Sequence, residues 1–123
     1  MVIQEMYYRK GEIVMEDDIE TLRKKAELGD AVAQCKLSEY YYKGKGVKQD
    51  YEQAVAWCRK AAEQGYSEGE FWLAIMYYWG SLTLVENGKG KDRKKACEWF
   101  EKAATHGHAE AKKWFASIMS ETV

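Results

Sequence analysis

Two stretches of this chain repeat one another. Residues 54–65 read AVAWCRKAAEQG and residues 96–107 read ACEWFEKAATHG, so Ala54, Trp57, Lys60, Ala61, Ala62 and Gly65 recur as Ala96, Trp99, Lys102, Ala103, Ala104 and Gly107 at an offset of 42 residues. A fainter copy, KKAELG at 24–29, ends on Gly29, 36 residues before Gly65. A fixed period of roughly 20–50 residues marks stacked supersecondary units, none of which buries its apolar face alone. The chain must therefore build its core between neighbouring copies.

The stretches between the copies repeat too. Leu37, Tyr41, Tyr42 and Gly44 align with Leu73, Tyr77, Tyr78 and Gly80, and pairing Gly46 with Gly88 leaves six extra residues within 81–86. Each repeat is thus two helices, the second repeat having the longer loop between them. Apolar spacing and punctuation predict helices at about 17–28, 31–43, 50–64, 67–79, 92–106 and 108–120. Asp17 or Asp18, Asp50 and Asp92 are the expected N-caps, and Gly29, Gly65 and Gly107 the expected left-handed helix stops. The order is B, A, B, A, B, A, with the outer helices as caps. The expected fold is all-α, a right-handed alpha-alpha superhelix of antiparallel helix pairs. One helical-repeat domain is expected over 16–123, with repeat one at about 30–65, repeat two at 66–107 and flanking helices 17–28 and 108–120. Residues 1–15 lie outside it, and both docking onto the solenoid through Ile3, Met6 and Tyr7 and remaining mobile are compatible with their composition.

The run Ala33-Gln34, Leu37, Tyr41, Gly44-Lys45-Gly46-Val47, Asp50-Tyr51, Ala54, Trp57 and Lys60-Ala61-Ala62-Glu63-Gln64-Gly65 resembles one nearly complete Sel-one-like repeat, a relative of the tetratricopeptide repeat. The resemblance covers residues 24–120. The second copy departs from the pattern at Gly69 and Ala74, and the last half-copy has Phe115 for the leucine and Met119 for the tyrosine. The resemblance implies an interaction module in which the A helices line the concave face.

Charge narrows the choice of partner. With 19 basic against 20 acidic residues and a net charge of −1, no overall field attracts nucleic acid or an anionic membrane. No apolar stretch approaches the ~20 residues that cross a bilayer. The N-terminal ten residues lack a secretory apolar core, so a cytoplasmic location is expected, with the three cysteines as free thiols. An apolar content of 46% suffices for a core without metal or disulfide.

No constellation points to catalysis, and no metal or cofactor is expected. His106 and His108 flank Gly107 without further ligands, and cations beside helix-end carbonyls are the ordinary reading. Cys35 and Cys58 stand where some exported relatives of the family carry disulfides. Their counterparts here are Phe71 and Phe100, which points to buried thiols, and Cys97 matches Val55. Gly44-Lys45-Gly46 and Gly88-Lys89-Gly90 lack the strand and spacing of a phosphate loop. The basic run 89–95 reads as a solvated helix start, and Glu16, Asp17, Asp18 and Glu20 as an acidic first turn.

The candidate site is a stripe on the A helices. Leu73, Met76 and Tyr77 are framework positions of helix 67–79, so Glu68, Trp72, Ile75 and Trp79 lie on another face. The equivalent stripe is Val32, Lys36, Glu39 and Lys43 in repeat one, and Glu110, Trp114 and Ser117 in the last helix. Tryptophans at positions 72 and 114, where repeat one has lysine, suggest a contact patch. Packing of both indoles against the 81–90 loop or the N-terminal segment is the competing arrangement. The partner-binding set is Lys36, Glu39, Tyr42, Glu68, Trp72, Ile75, Trp79 and Trp114.

The expected function is protein binding through this face. A dedicated inhibitor, such as an immunity protein neutralising a cognate bacterial toxin, is the alternative. A hydrolase like the beta-lactam-hydrolysing activity once proposed for cysteine-rich exported relatives is the third reading. An aromatic patch also permits self-association.

Overall fold

A computed structural model describes residues 6–9, 12–15, 18–79 and 93–121. The first two pieces, β1 (Met6–Arg9) and β2 (Glu12–Met15), pair antiparallel with Met6 opposite Met15 and Arg9 opposite Glu12. This hairpin was not foreseen, although Tyr7-Tyr8 facing Ile13-Val14 combines residue types that suit a pleated ladder. Six helices follow: α1 (Ile19–Glu27), α2 (Ala31–Lys43), α3 (Tyr51–Glu63), α4 (Ser67–Trp79), α5 (Arg93–Thr105) and α6 (Ala109–Glu121). Each packs on the next in chain order, and α2 also touches α4, so the array is the expected all-α superhelix with α2, α4 and α6 as its A helices.

Local chemistry sets the helix boundaries. Asp18, Asp30 and Asp50 cap α1, α2 and α3, their carboxylates accepting from the amides of Thr21, Ala33 and Gln53 at 2.8, 3.1 and 3.1 Å. Each such cap is worth about 1 kcal/mol. Gly29, Gly65 and Gly107 follow α1, α3 and α5 with φ of 98°, 81° and 91°, as their shared place in the repeat requires. The amide of the residue after each glycine then reaches back to a carbonyl in the last turn: Asp30 to Lys25, Tyr66 to Ala61 and His108 to Ala103. Asp92 and the enlarged loop at 81–86 lie outside the described residues, as does the basic run before Arg93.

Two clusters make the core. Leu22, Ala26, Ala33, Leu37 and Tyr40 join α1 to α2, while a larger group around Leu73, Phe71 and Phe100 joins α3 to α6. Tyr41 packs against both. Leu37 and Leu73, equivalent in the repeat, are fully buried, each contributing roughly 1.5–3 kcal/mol. Trp57 and Trp99 are half-buried against these clusters, each with a lysine of its own helix over the ring, Lys60 at 4.8 Å and Lys102 at 4.3 Å. Alanines 61, 62 and 103 are buried where helices meet. At Gly69 α4 lies tight against α3, since a Cβ there would stand 2.9 Å from the Cβ of Ala61.

Candidate functional site

Between α2 and α4 lies a groove of about 330 Å³ that gathers six of the eight residues expected to bind a partner. Lys36, Glu39 and Tyr42 come from α2, and Glu68, Trp72 and Ile75 from α4. Helical spacing explains the gathering. Trp72 and Lys36 hold equivalent positions on consecutive A helices, and stacking the helices sets them on opposite walls. Cys35, Ser38 and Met76 supply deeper contacts, with Val32 and Tyr66 at one end. Trp72 is 44% exposed and Val32 49%, so the groove offers apolar surface to solvent.

Trp79 and Trp114 stand apart from the groove lining, in a second aromatic group. Trp114 is half-buried and stacks on Phe100 with ring centroids 5.4 Å apart and planes 8° from parallel. Its edge meets Tyr78 at 5.3 Å and Trp79 at 6.3 Å. Trp79 is 56% exposed and Arg93 lies over the Tyr78 ring, so this group has an exposed edge on a packed base. The equivalence of Trp72 and Trp114 in the repeat thus does not extend to their surroundings. Packing of either indole against residues 81–90 falls outside the described residues.

Three of the four charged groups of the groove have partners. Lys43 pairs with Glu39 at 2.7 Å. The Glu68 carboxylate accepts from the Trp72 indole N–H at 2.9 Å through Oε1 and meets His108 Nε2 at 2.7 Å through Oε2. His108 Nδ1 accepts the Ala111 amide at 3.1 Å, which places the ring proton on Nε2, facing Glu68. The same ring lies flat on Phe71, 4.4 Å between centroids. One imidazole therefore caps α6, packs on the core and orients the acid that holds Trp72.

His106 has a different role. Its Nδ1 donates to Glu70 Oε1 at 2.6 Å, and Glu70 is only 2% exposed. In the preceding repeat the corresponding pair is Gln34 and Gln64, joined at 2.8 Å as two amides. The expectation of histidines beside helix-end carbonyls is corrected here: both rings turn to carboxylates of the preceding A helix, because those acids stand within reach across the turn at Gly107. Glu70 and the capping action of His108 were missed in the sequence. The signal was available, since His108 occupies the slot that Asp30 fills before α2.

The cysteines are thiols in this structure. Burial, with Glu68 and Glu39 adding to it, pushes Cys35 up to about 12, and burial pushes Cys58 up further. Burial, then the nearby Glu101 and Glu98, raises Cys97 as well. A nucleophilic cysteine needs the opposite shift. Cys58 instead donates its S–H to the Gly69 carbonyl at 3.3 Å. Among the described residues, no three potential metal ligands cluster, and no helix is long and apolar enough to cross a membrane.

The Sel1 repeat model matches residues 31–66 and 67–108. An F-box protein of Arabidopsis thaliana is 31% identical over 78 residues, covering 63% of this chain and 21% of its own length. Chitin synthase regulatory factor 3 of Schizosaccharomyces pombe is 37% identical over 76 residues, covering 60% of this chain and 8% of its own. The chain therefore spans about a fifth or less of these curated relatives. Among solved structures, a protective antigen of uropathogenic Escherichia coli with an SLR fold superposes with a TM-score of 0.76 at 34% identity, over 87% of this chain and 22% of that one. Helicobacter pylori cysteine rich protein B gives 0.68 at 29% identity, over 77% and 67% of the two chains.

Proposed function

The chain belongs to the Sel1 repeat family, whose members are generally protein-protein interaction modules, and we propose that it holds a segment of a partner protein in the groove between α2 and α4. One observation carries the assignment to this face: an open, mainly apolar groove lined by Trp72 and Ile75 on one side and Lys36 and Tyr42 on the other. Exposed apolar surface of this kind is costly for a lone soluble protein and is gained back on association, with tryptophan a frequent anchor. The aromatic edge at Trp79 and Trp114 extends the same reading along the array. The reading carries no catalytic role, and with it we propose a cytoplasmic location, where free thiols such as Cys35, Cys58 and Cys97 stay reduced.

The test is affinity capture from native lysate with the wild-type chain and with Trp72→Ala, helical content being matched by circular dichroism. Trp72 is the residue to replace because Trp114 stacks on the core and its loss would disturb the fold. A partner captured by the wild type and lost with Trp72→Ala supports the groove; a partner held equally by both refutes it. A single partner bound one to one at nanomolar strength would identify a dedicated inhibitor of that partner, a toxin among the possibilities. Weak binding to several partners would identify a general adaptor.

A further inference from the structure

Resting on the groove reading, we propose a definite chemistry for the occupant: a peptide segment that seats one apolar side chain beside Trp72 and Ile75 and presents a neighbouring Asp or Glu to Lys36. The argument is one of charge. Four charged side chains line the groove, and three are already answered. Lys43 and Glu39 neutralise each other, and each Glu68 oxygen already accepts an N–H, one from Trp72 and one from His108. Lys36 is exposed and has no hydrogen bond or ion pair among the described residues, so it is the groove charge left to be complemented from outside. A basic segment would be repelled by Lys36, and the two acids of the groove, Glu39 and Glu68, already have partners.

Size gives the second half. At about 330 Å³ the groove sits at the low end of ligand pockets, which run from ~300 to ~1,000 Å³. That suits one or two anchoring side chains of a segment that continues past both ends. Because Lys36 and Trp72 are equivalent positions on neighbouring A helices, anchor and carboxylate lie on opposite walls and belong to residues a few positions apart in the segment. An uncharged apolar segment would seat the anchor but leave Lys36 partly desolvated and unpaired, which costs affinity.

The probe is a phage-displayed library of random dodecapeptides selected on the full chain and, in parallel, on Lys36→Glu. The wild type is expected to enrich peptides with an apolar residue and an Asp or Glu within about four positions. Lys36→Glu is expected to enrich Lys or Arg there instead. By fluorescence anisotropy, changing that Asp or Glu to its amide in a selected synthetic peptide should weaken binding to the wild type about tenfold, and high salt should erase the difference. It should leave binding to Lys36→Glu no worse. Identical motifs from both selections, equal affinity of acid and amide peptides, or no enriched peptide at all would each overturn the proposal. Those failures are separate from failure of the groove itself, which is read by partner capture with Trp72→Ala and is independent of charge.

Discussion

Replacing Gly69 with alanine sets family pattern against packing. The equivalent residues before and after it are Ala33 and Ala111, both buried, so pattern alone recommends alanine. Alanine is also the better helix former, by up to about 1 kcal/mol. The structure argues the reverse. A Cβ at position 69 would stand 2.9 Å from the Ala61 Cβ and 3.0 Å from the Ala62 amide nitrogen, well inside ordinary carbon contact of about 3.5–4.0 Å. Both neighbours are rigid: one is a methyl fixed to the backbone, the other the backbone itself. Relief requires α4 to move off α3, which also strains the Cys58 S–H bond to the Gly69 carbonyl. Overpacking of this kind costs about 1–3 kcal/mol, and the propensity gain offsets part of it. We expect a net loss of roughly 1–2 kcal/mol, a fall in the urea midpoint of roughly 0.5–1 M with unchanged slope. Urea unfolding followed by circular dichroism measures it. A midpoint equal to or above the wild type would refute the close approach of α3 and α4.

Removing residues 108–123 should unfold the protein, because it strips the Trp114 ring from Phe100 and bares α5; an unchanged melting curve would contradict this. Stability should fall as pH rises above about 9, the ordinary thiol value, towards the value of about 12 at Cys35. The sign follows from the raised folded-state value: the unfolded chain loses its thiol proton first, so the contribution is complete below about 9 and is lost as pH climbs through about 12. Thermal melts of wild type and Cys35→Ala should converge over that range, and parallel curves would show that Cys35 contributes nothing. Asp30→Ala should cost about 1 kcal/mol by removing the α2 cap, measured by urea unfolding, whereas a loss below a few tenths would mean that water replaces the carboxylate.

The helices were legible because their signals are local and repeated. Asp50 before α3 and the glycines closing α1, α3 and α5 carry their meaning in residue type, and the framework leucines at 37 and 73 stand at helical spacing. Six candidate residues converged on one groove because equivalent positions of stacked A helices must be neighbours. What sequence could not supply was the environment of a repeated slot. Trp72 and Trp114 are equivalent, yet one lines a groove while the other lies on Phe100, whose counterpart one repeat earlier is the smaller Cys58. The imidazole cap at His108 escaped because histidine is not among the side chains that usually announce a helix start. The β1–β2 hairpin escaped because four-residue strands outside a repeat leave too short a pattern to distinguish from loop.

The Glu68 carboxylate, held by His108 on one oxygen and by Trp72 on the other, makes the last helix and the groove thermodynamic neighbours. A segment that fixes the Trp72 indole also fixes Glu68, and with it the acceptor of the proton that keeps His108 in its capping form. By linkage, whatever free energy the segment contributes to seating α6 is returned as affinity for the segment. The terminal helix of so short an array would then be a reporter of occupancy: its amide exchange should slow when the groove fills, although no part of it lines that groove.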